Sequence, residues 1–63
     1  MSELKKLLNT EEAANYLSLA QQTLHNYRFN RKPPNYVKIG RRVLYELSEL
    51  DKFIDSNRVN LST

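Results

Sequence analysis

Thr10-Glu11-Glu12-Ala13-Ala14-Asn15-Tyr16-Leu17, then Ser18-Leu19-Ala20, then Gln21-Gln22-Thr23-Leu24-His25-Asn26-Tyr27-Arg28, reads as two short helices around a tight turn. Ala13, Ala14 and Leu17 fall at i, i+1 and i+4 and share one side of the first helix; Leu24 and Tyr27, three apart, do the same on the second. Paired alanines let two helix backbones approach closely. Between its apolar positions the second helix offers Gln21, Gln22, Thr23, His25, Asn26 and Arg28. Amides, a hydroxyl and a guanidinium are the groups that pair with base edges and phosphates.

On the N-terminal side, Leu4, Leu7 and Leu8 are expected to cap the core as a short extended segment or helical turn. Thr10 is the expected N-cap of the first helix, with Glu11 and Glu12 at the positive end of its dipole. The turn at residues 17–20 holds neither Gly nor Pro, so Ser18 must carry its geometry. The second helix is expected to run from Gln21 to Phe29 or Asn30, because Pro33-Pro34 forbids continuation and pushes Lys32 to an extended conformation. Two β-rich runs follow, Tyr36-Val37-Lys38-Ile39 and Val43-Leu44-Tyr45, flanking Gly40-Arg41-Arg42 and the protein's one glycine. That is a hairpin pattern with two arginines at its tip. Ser48, with Asp51 three residues on, is expected to open a last helix whose Leu50, Phe53 and Ile54 form one apolar stripe, and Asn57 is its expected stop. The expectation is one domain, its core at about residues 7–57 and a flexible tail at 58–63.

A chain of 63 residues supports one small core, and with no cysteine there is neither a disulfide framework nor a thiolate zinc site to staple it. One histidine and seven carboxylates make an all-protein metal cage unexpected. No apolar run approaches the roughly 18–20 residues of a membrane span, and the opening Met1-Ser2-Glu3-Leu4-Lys5-Lys6 lacks the apolar segment of a secretory signal. A cytoplasmic protein, free of the membrane, is expected. The net charge of +3 conceals a segregation. From Ala13 to Tyr45 there is no acid, while Arg28, Arg31, Lys32, Lys38, Arg41 and Arg42 all fall there. A merely solvated positive face is the plain reading of such a block. Its continuity, overlapping the polar helix, favours a polyanion partner. A helix pair followed by a hairpin with basic residues at its tip is the layout of a winged helix-turn-helix; an αβα mini-domain without a nucleic acid partner is the alternative.

Leu7-Leu8-Asn9-Thr10-Glu11-Glu12-Ala13-Ala14-Asn15-Tyr16-Leu17 resembles the opening of excisionase-like and AlpA-type DNA-binding domains. Tyr36-Val37-Lys38-Ile39-Gly40-Arg41-Arg42-Val43-Leu44-Tyr45 looks like their wing, and Ser48-Glu49-Leu50-Asp51-Lys52-Phe53-Ile54 is similar to their closing helix. These are small MerR-like winged helix-turn-helix proteins of bacteria, common on prophages and other integrated elements, and the likeness runs from about Leu7 to Ile54. It implies a mainly α fold with a small β-hairpin and a double-stranded DNA partner. The implied role is transcriptional regulator or recombination directionality factor. By analogy, recognition falls to Gln21, Gln22, Thr23, His25 and Asn26, and wing contacts to Lys38, Arg41 and Arg42. Such domains often have Gly where Ser18 stands and Ser or Thr where Ala20 stands; the change at Ala20 removes an N-cap worth about 1 kcal/mol. Ser18 offers an alternative cap that would start the helix earlier.

Arg28 completes the recognition set, and Arg31 and Lys32 form a junction expected to anchor phosphates. His25 has no second His, no Cys and no carboxylate partner near in sequence, so contact with a base or phosphate is a better reading than catalysis, and no enzyme is expected. No cofactor, metal or small-molecule ligand is expected. Tyr16, Tyr27, Phe29, Tyr36, Tyr45 and Phe53 could form a stacking platform for single strands, but most sit at spacings suited to the core. The competing function is a protein–protein module that binds an integrase or transcription factor through its acidic C-terminal helix. An integrase or recombinase, or neighbouring protomers on DNA, are the further partners expected.

Overall fold

The computed structural model describes residues 6–59 and 61, so the expected role of Leu4 and the end of the tail lie outside the described residues. The elements in order are β1 (Leu7–Asn9), α1 (Thr10–Leu17), α2 (Gln21–Phe29), β2 (Val37–Ile39), β3 (Arg42–Glu46) and α3 (Leu47–Ser56).

The lead-in takes the extended form, as the strand β1, and Leu8 packs against the core. β1 pairs antiparallel with β3, Leu8 opposite Tyr45, and β2 pairs with the other edge of β3, giving the order β1-β3-β2. The hairpin therefore grows into a three-stranded sheet, and the backbone bond from Leu47 N–H to the Lys6 carbonyl, 3.0 Å, extends the pairing to the start of α3. Strand side chains alternate between faces. Leu8, Val43 and Tyr45 take the face packed on the helices.

The core is Ala13 and Ala14 of α1, Leu24 of α2, Tyr45 of β3 and Leu50 of α3, with Leu8, Leu17, Leu19, Tyr27 and Val43 packed around it. Every helix and the central strand thus contribute, and each buried leucine adds about 1.5–3 kcal/mol. Ala13 and Ala14 are buried, as a close approach of α1 to its neighbours requires. Tyr27 and Phe53 meet with ring centroids 6.1 Å apart, which joins α2 to α3. Tyr36 lies the same distance from Tyr45.

The helix ends correct three expectations. Asn9, not Thr10, is the N-cap of α1: Asn9 Oδ1 accepts from the Glu12 N–H at 2.8 Å, and Glu12 Oε1 accepts from the Asn9 N–H at 2.9 Å. This is a full capping box with Asn in the leading place, and Thr10 becomes the first helical residue. Nor does Ser48 open α3. The helix starts at Leu47, directly after β3, with Glu46 at the cap position and no side-chain cap bond. The strand delivers the chain straight into the helix, and Asp51 is drawn to another partner: the Tyr16 hydroxyl donates to Asp51 Oδ1 at 2.6 Å, tying α1 to α3. Ser18 does carry the turn, at φ 60° and ψ 40°, but it ends α1 rather than capping α2. The Ser18 N–H donates to the Asn15 carbonyl and the Leu19 N–H to the Ala14 carbonyl, the paired bonds of a Schellman ending. Ala20 is the N-cap of α2 and has no side-chain bond to give.

A second Schellman ending closes α2. The Lys32 N–H donates to the Tyr27 carbonyl at 2.8 Å and the Arg31 N–H to the Arg28 carbonyl at 3.0 Å, with Arg31 itself at φ 57°. The hairpin turns on Gly40-Arg41, since Ile39 pairs with Arg42. Gly40 has φ 62° while Arg41 stays at negative φ, the pattern of a type II′ turn with Gly at its first central position. The result is a winged helix-turn-helix: two helices about a tight turn, a third helix behind them, and a hairpin projecting from the sheet.

Candidate nucleic-acid interface

One side of α2 is fixed by Leu24, fully buried, and by Tyr27 against Phe53. At 3.6 residues per turn the opposite side carries Gln22, His25, Asn26 and Phe29. Gln22, His25 and Asn26 are exposed, as is Gln21 at the margin of the face, while Thr23 is half-buried at its other margin. Of the six expected recognition residues, the structure thus groups Gln22, His25 and Asn26 on one outward face. Gln22 Nε2 donates to Asn26 Oδ1 at 3.2 Å. This pairing orients both amides and leaves the Asn26 amide nitrogen and the Gln22 oxygen for a partner.

Arg28 is placed differently. It is half-buried at the edge of that face and directed into the fold. Its Nη1 donates to the Tyr45 hydroxyl at 2.7 Å and, at 3.4 Å, to Thr10 Oγ1. Its guanidinium carbon lies 5.8 Å from the Tyr36 ring centroid, within cation–π range. Tyr45 is the largest fully buried side chain, and Arg28 supplies the partner its hydroxyl needs there.

Phe29 was not among the expected site residues, and it is 87% exposed on the same face as His25 and Asn26. The spacing held the signal: Phe29 is seven residues from Gln22 and five from the core Leu24, which places it on the outward side.

Arg31 and Lys32, both exposed, follow directly. With Arg28, Phe29, Pro33, Pro34, Asn35 and Tyr36 they line an open cleft of about 910 Å³ between the end of α2 and the root of the wing. Asn35 Nδ2 donates to Glu49 Oε1 at 3.2 Å and pins that root to α3.

On the wing, Lys38 pairs with Val43 and so lies on the helix side of the sheet. Ile39 and Arg42, paired with each other, lie on the other face, and Arg41 is at the tip. Lys38, Arg41 and Arg42 are all exposed, and Ile39 is 55% exposed between them. The three wing cations therefore surround the ribbon rather than form one cluster. Among the described residues the acids are Glu11 and Glu12 in the first turn of α1, Glu46 at the end of β3 away from the hairpin tip, and Glu49, Asp51 and Asp55 on α3. The ion pairs Lys52–Glu49, 3.3 Å, and Arg58–Asp55, 2.8 Å, lie at that same C-terminal end.

The bond between Tyr16 and Asp51 holds the Tyr16 phenol above its ordinary value, chiefly through the hydrogen bond, then through lost solvation and the carboxylate's charge. Among the described residues no group of three or more His, Cys, Asp or Glu is placed to hold a metal ion. No helix among them is long and apolar enough to cross a membrane.

Residues 7–58 match the family described as helix-turn-helix domain. No curated protein matches the chain.

Proposed function

Because the chain belongs to the helix-turn-helix domain family, a DNA-binding family, we propose that it binds double-stranded DNA sequence-specifically, α2 entering the major groove and the hairpin reaching the phosphates beside it. The observation that carries this reading is the outward polar face of Gln22, His25 and Asn26 on α2, followed directly by the exposed Arg31 and Lys32 at its end and, beyond the cleft, by a wing whose Lys38, Arg41 and Arg42 are all exposed. Asn and Gln suit adenine, whose N6 and N7 offer a donor and an acceptor together, and an apolar side chain such as Phe29 suits the thymine methyl. Gln21 and Thr23, at the margins of the face, reach the sugar–phosphate edges. The cations meet phosphates, which are alike in every sequence. Arg28 shapes the site from within. The resemblance of residues 7–54 to excisionase-like and AlpA-type domains supports a MerR-like regulator or directionality factor of a bacterial mobile element, working in the cytoplasm on DNA with a recombinase or neighbouring protomers.

The test is a titration of selected and scrambled duplexes at two salt concentrations. With about four to six phosphates neutralised, the log–log slope of affinity against salt is expected at roughly −3.5 to −5.5. Asn26→Ala is expected to cost about 1–3 kcal/mol on the selected duplex and little on the scrambled one. Arg41→Ala is expected to weaken both alike and make the slope shallower by about one unit. A slope near zero would overturn the DNA reading. Wing variants that lose only the selected site would make the wing the reader.

A further inference from the structure

Arg28 makes one contact that its inward bonds do not explain: its Nη2 lies 2.7 Å from His25 Nδ1. A guanidinium carries five N–H donors and no acceptor, and it does not deprotonate in proteins. At 2.7 Å the contact is a hydrogen bond only if His25 Nδ1 brings a lone pair. The remaining proton of the neutral ring is then on Nε2. Arg28 is itself held by groups outside α2: Tyr45 Oη of β3 at 2.7 Å, Thr10 Oγ1 of α1 at 3.4 Å, and the Tyr36 ring ahead of β2. Its position is thus set by the fold.

We infer that Arg28 is a positioning residue that orients His25 and fixes it as an Nε2–H donor, so that His25 selects a base edge presenting an acceptor. Resting on the DNA reading above, this names the chemistry of one readout position. Guanine O6, a purine N7 or thymine O4 accepts such a proton; the exocyclic amines of adenine and cytosine offer only a second donor and are refused. His25 is exposed beside Asn26 on the outward face of α2, where a single defined tautomer reads one pattern instead of two.

Two measurements on the whole protein test the inference. The first needs no DNA: ring ¹⁵N resonances of His25 are recorded at a pH where the ring is neutral. The wild type is expected to show a protonated Nε2 and a hydrogen-bonded, unprotonated Nδ1. In Arg28→Met, which removes the donors, the two nitrogen resonances are expected to move toward one another as the tautomers mix. Tyr45→Phe keeps the buried ring and removes only the acceptor that anchors Arg28. It is expected to shift them in the same direction and serves if Arg28→Met fails to fold. Ring resonances unchanged in the folded variants would overturn the inference, as would a wild type protonated on Nδ1.

The second measurement is a double-mutant cycle on base preference, using duplexes selected from a randomised pool. Arg28→Met is expected to reduce discrimination at the His25 position by about tenfold, and to leave it unchanged when His25 is already Ala. Loss of the missing charge weakens both backgrounds alike and cancels in the cycle. Equal losses of discrimination in both backgrounds would overturn the inference. A wild type that binds no duplex overturns the DNA reading and the base-selecting half of the inference with it, while the ring resonances decide the positioning half by themselves.

Discussion

Arg31 holds a left-handed backbone, φ 57°, at a place where helices commonly end on glycine. Any residue with a Cβ is strained there by roughly 1–2 kcal/mol. The residue so held is a cation that lines the cleft between the end of α2 and the root of the wing. Arg31→Gly is therefore expected to unfold at higher urea than Arg31→Ala, by about 1 kcal/mol, and to bind DNA no better than Arg31→Ala does. Equal urea midpoints would show that the left-handed turn carries no strain. Gly40 has the same sign of φ, 62°, with nothing within 4 Å of where a Cβ would sit, so its requirement is purely conformational. Left-handed backbone thus falls in the turn of the motif, at the end of α2 and at the tip of the wing, and a Cβ strains it at Ser18 and Arg31 but not at Gly40.

At the scale of the element, the two helices of the motif begin unequally. α1 has the reciprocal Asn9–Glu12 bonds and two acids in its first turn. α2 begins on Ala20 with no side-chain bond and no acid. Backbone N–H groups left without a side-chain cap at the start of a helix keep the positive end of the dipole open toward an anion. Ala20→Ser is expected to stabilise the free protein by about 1 kcal/mol and Asn9→Ala to destabilise it by about as much. For a domain of this size each corresponds to roughly 4–8 °C in melting temperature. Thermal melts of the two variants check this. No gain from Ala20→Ser would mean that the α2 backbone donors are already satisfied.

At the scale of the whole molecule, the Tyr16–Asp51 bond, 2.6 Å, links the first helix to the last across the core. The Tyr16 phenol is raised above its ordinary value by that bond. A group whose folded value lies above its unfolded one contributes stability that is complete below the unfolded value, near 10 for tyrosine, and is lost as pH rises through the folded one. Wild-type protein is expected to be more stable than Tyr16→Phe at about pH 8 and to lose that advantage progressively as pH rises above the ordinary tyrosine value. Urea midpoints of both proteins across that alkaline range check it, the other tyrosines cancelling in the comparison. An absent advantage at about pH 8, or one that does not shrink as pH rises above the ordinary tyrosine value, would mean that the hydroxyl does not donate to Asp51.

What the sequence determined by itself was carried by local geometry. Helical spacing places Leu24 and Tyr27 inward, Pro33-Pro34 ends α2 where the structure ends it, Gly40 marks the tip of the hairpin, and Ser18 bends the turn. The acid-free block from Ala13 to Tyr45 is likewise legible, because charge is a property of residues and not of their arrangement. Only the tertiary structure decided what depends on partners distant in the chain. Leu7–Asn9 is a strand because β3 offers it an edge; the cap at Asn9, by contrast, rests on Glu12 three residues on and is a local signal. Asp51 leaves a local capping role for Tyr16, 35 residues away. Arg28, a cation on a polar helix in the sequence, turns inward because folding brings the Tyr45 hydroxyl, Thr10 and the Tyr36 ring within its reach. A buried hydroxyl must find its hydrogen-bond partner wherever the fold provides one, and no window of neighbouring residues contains that information.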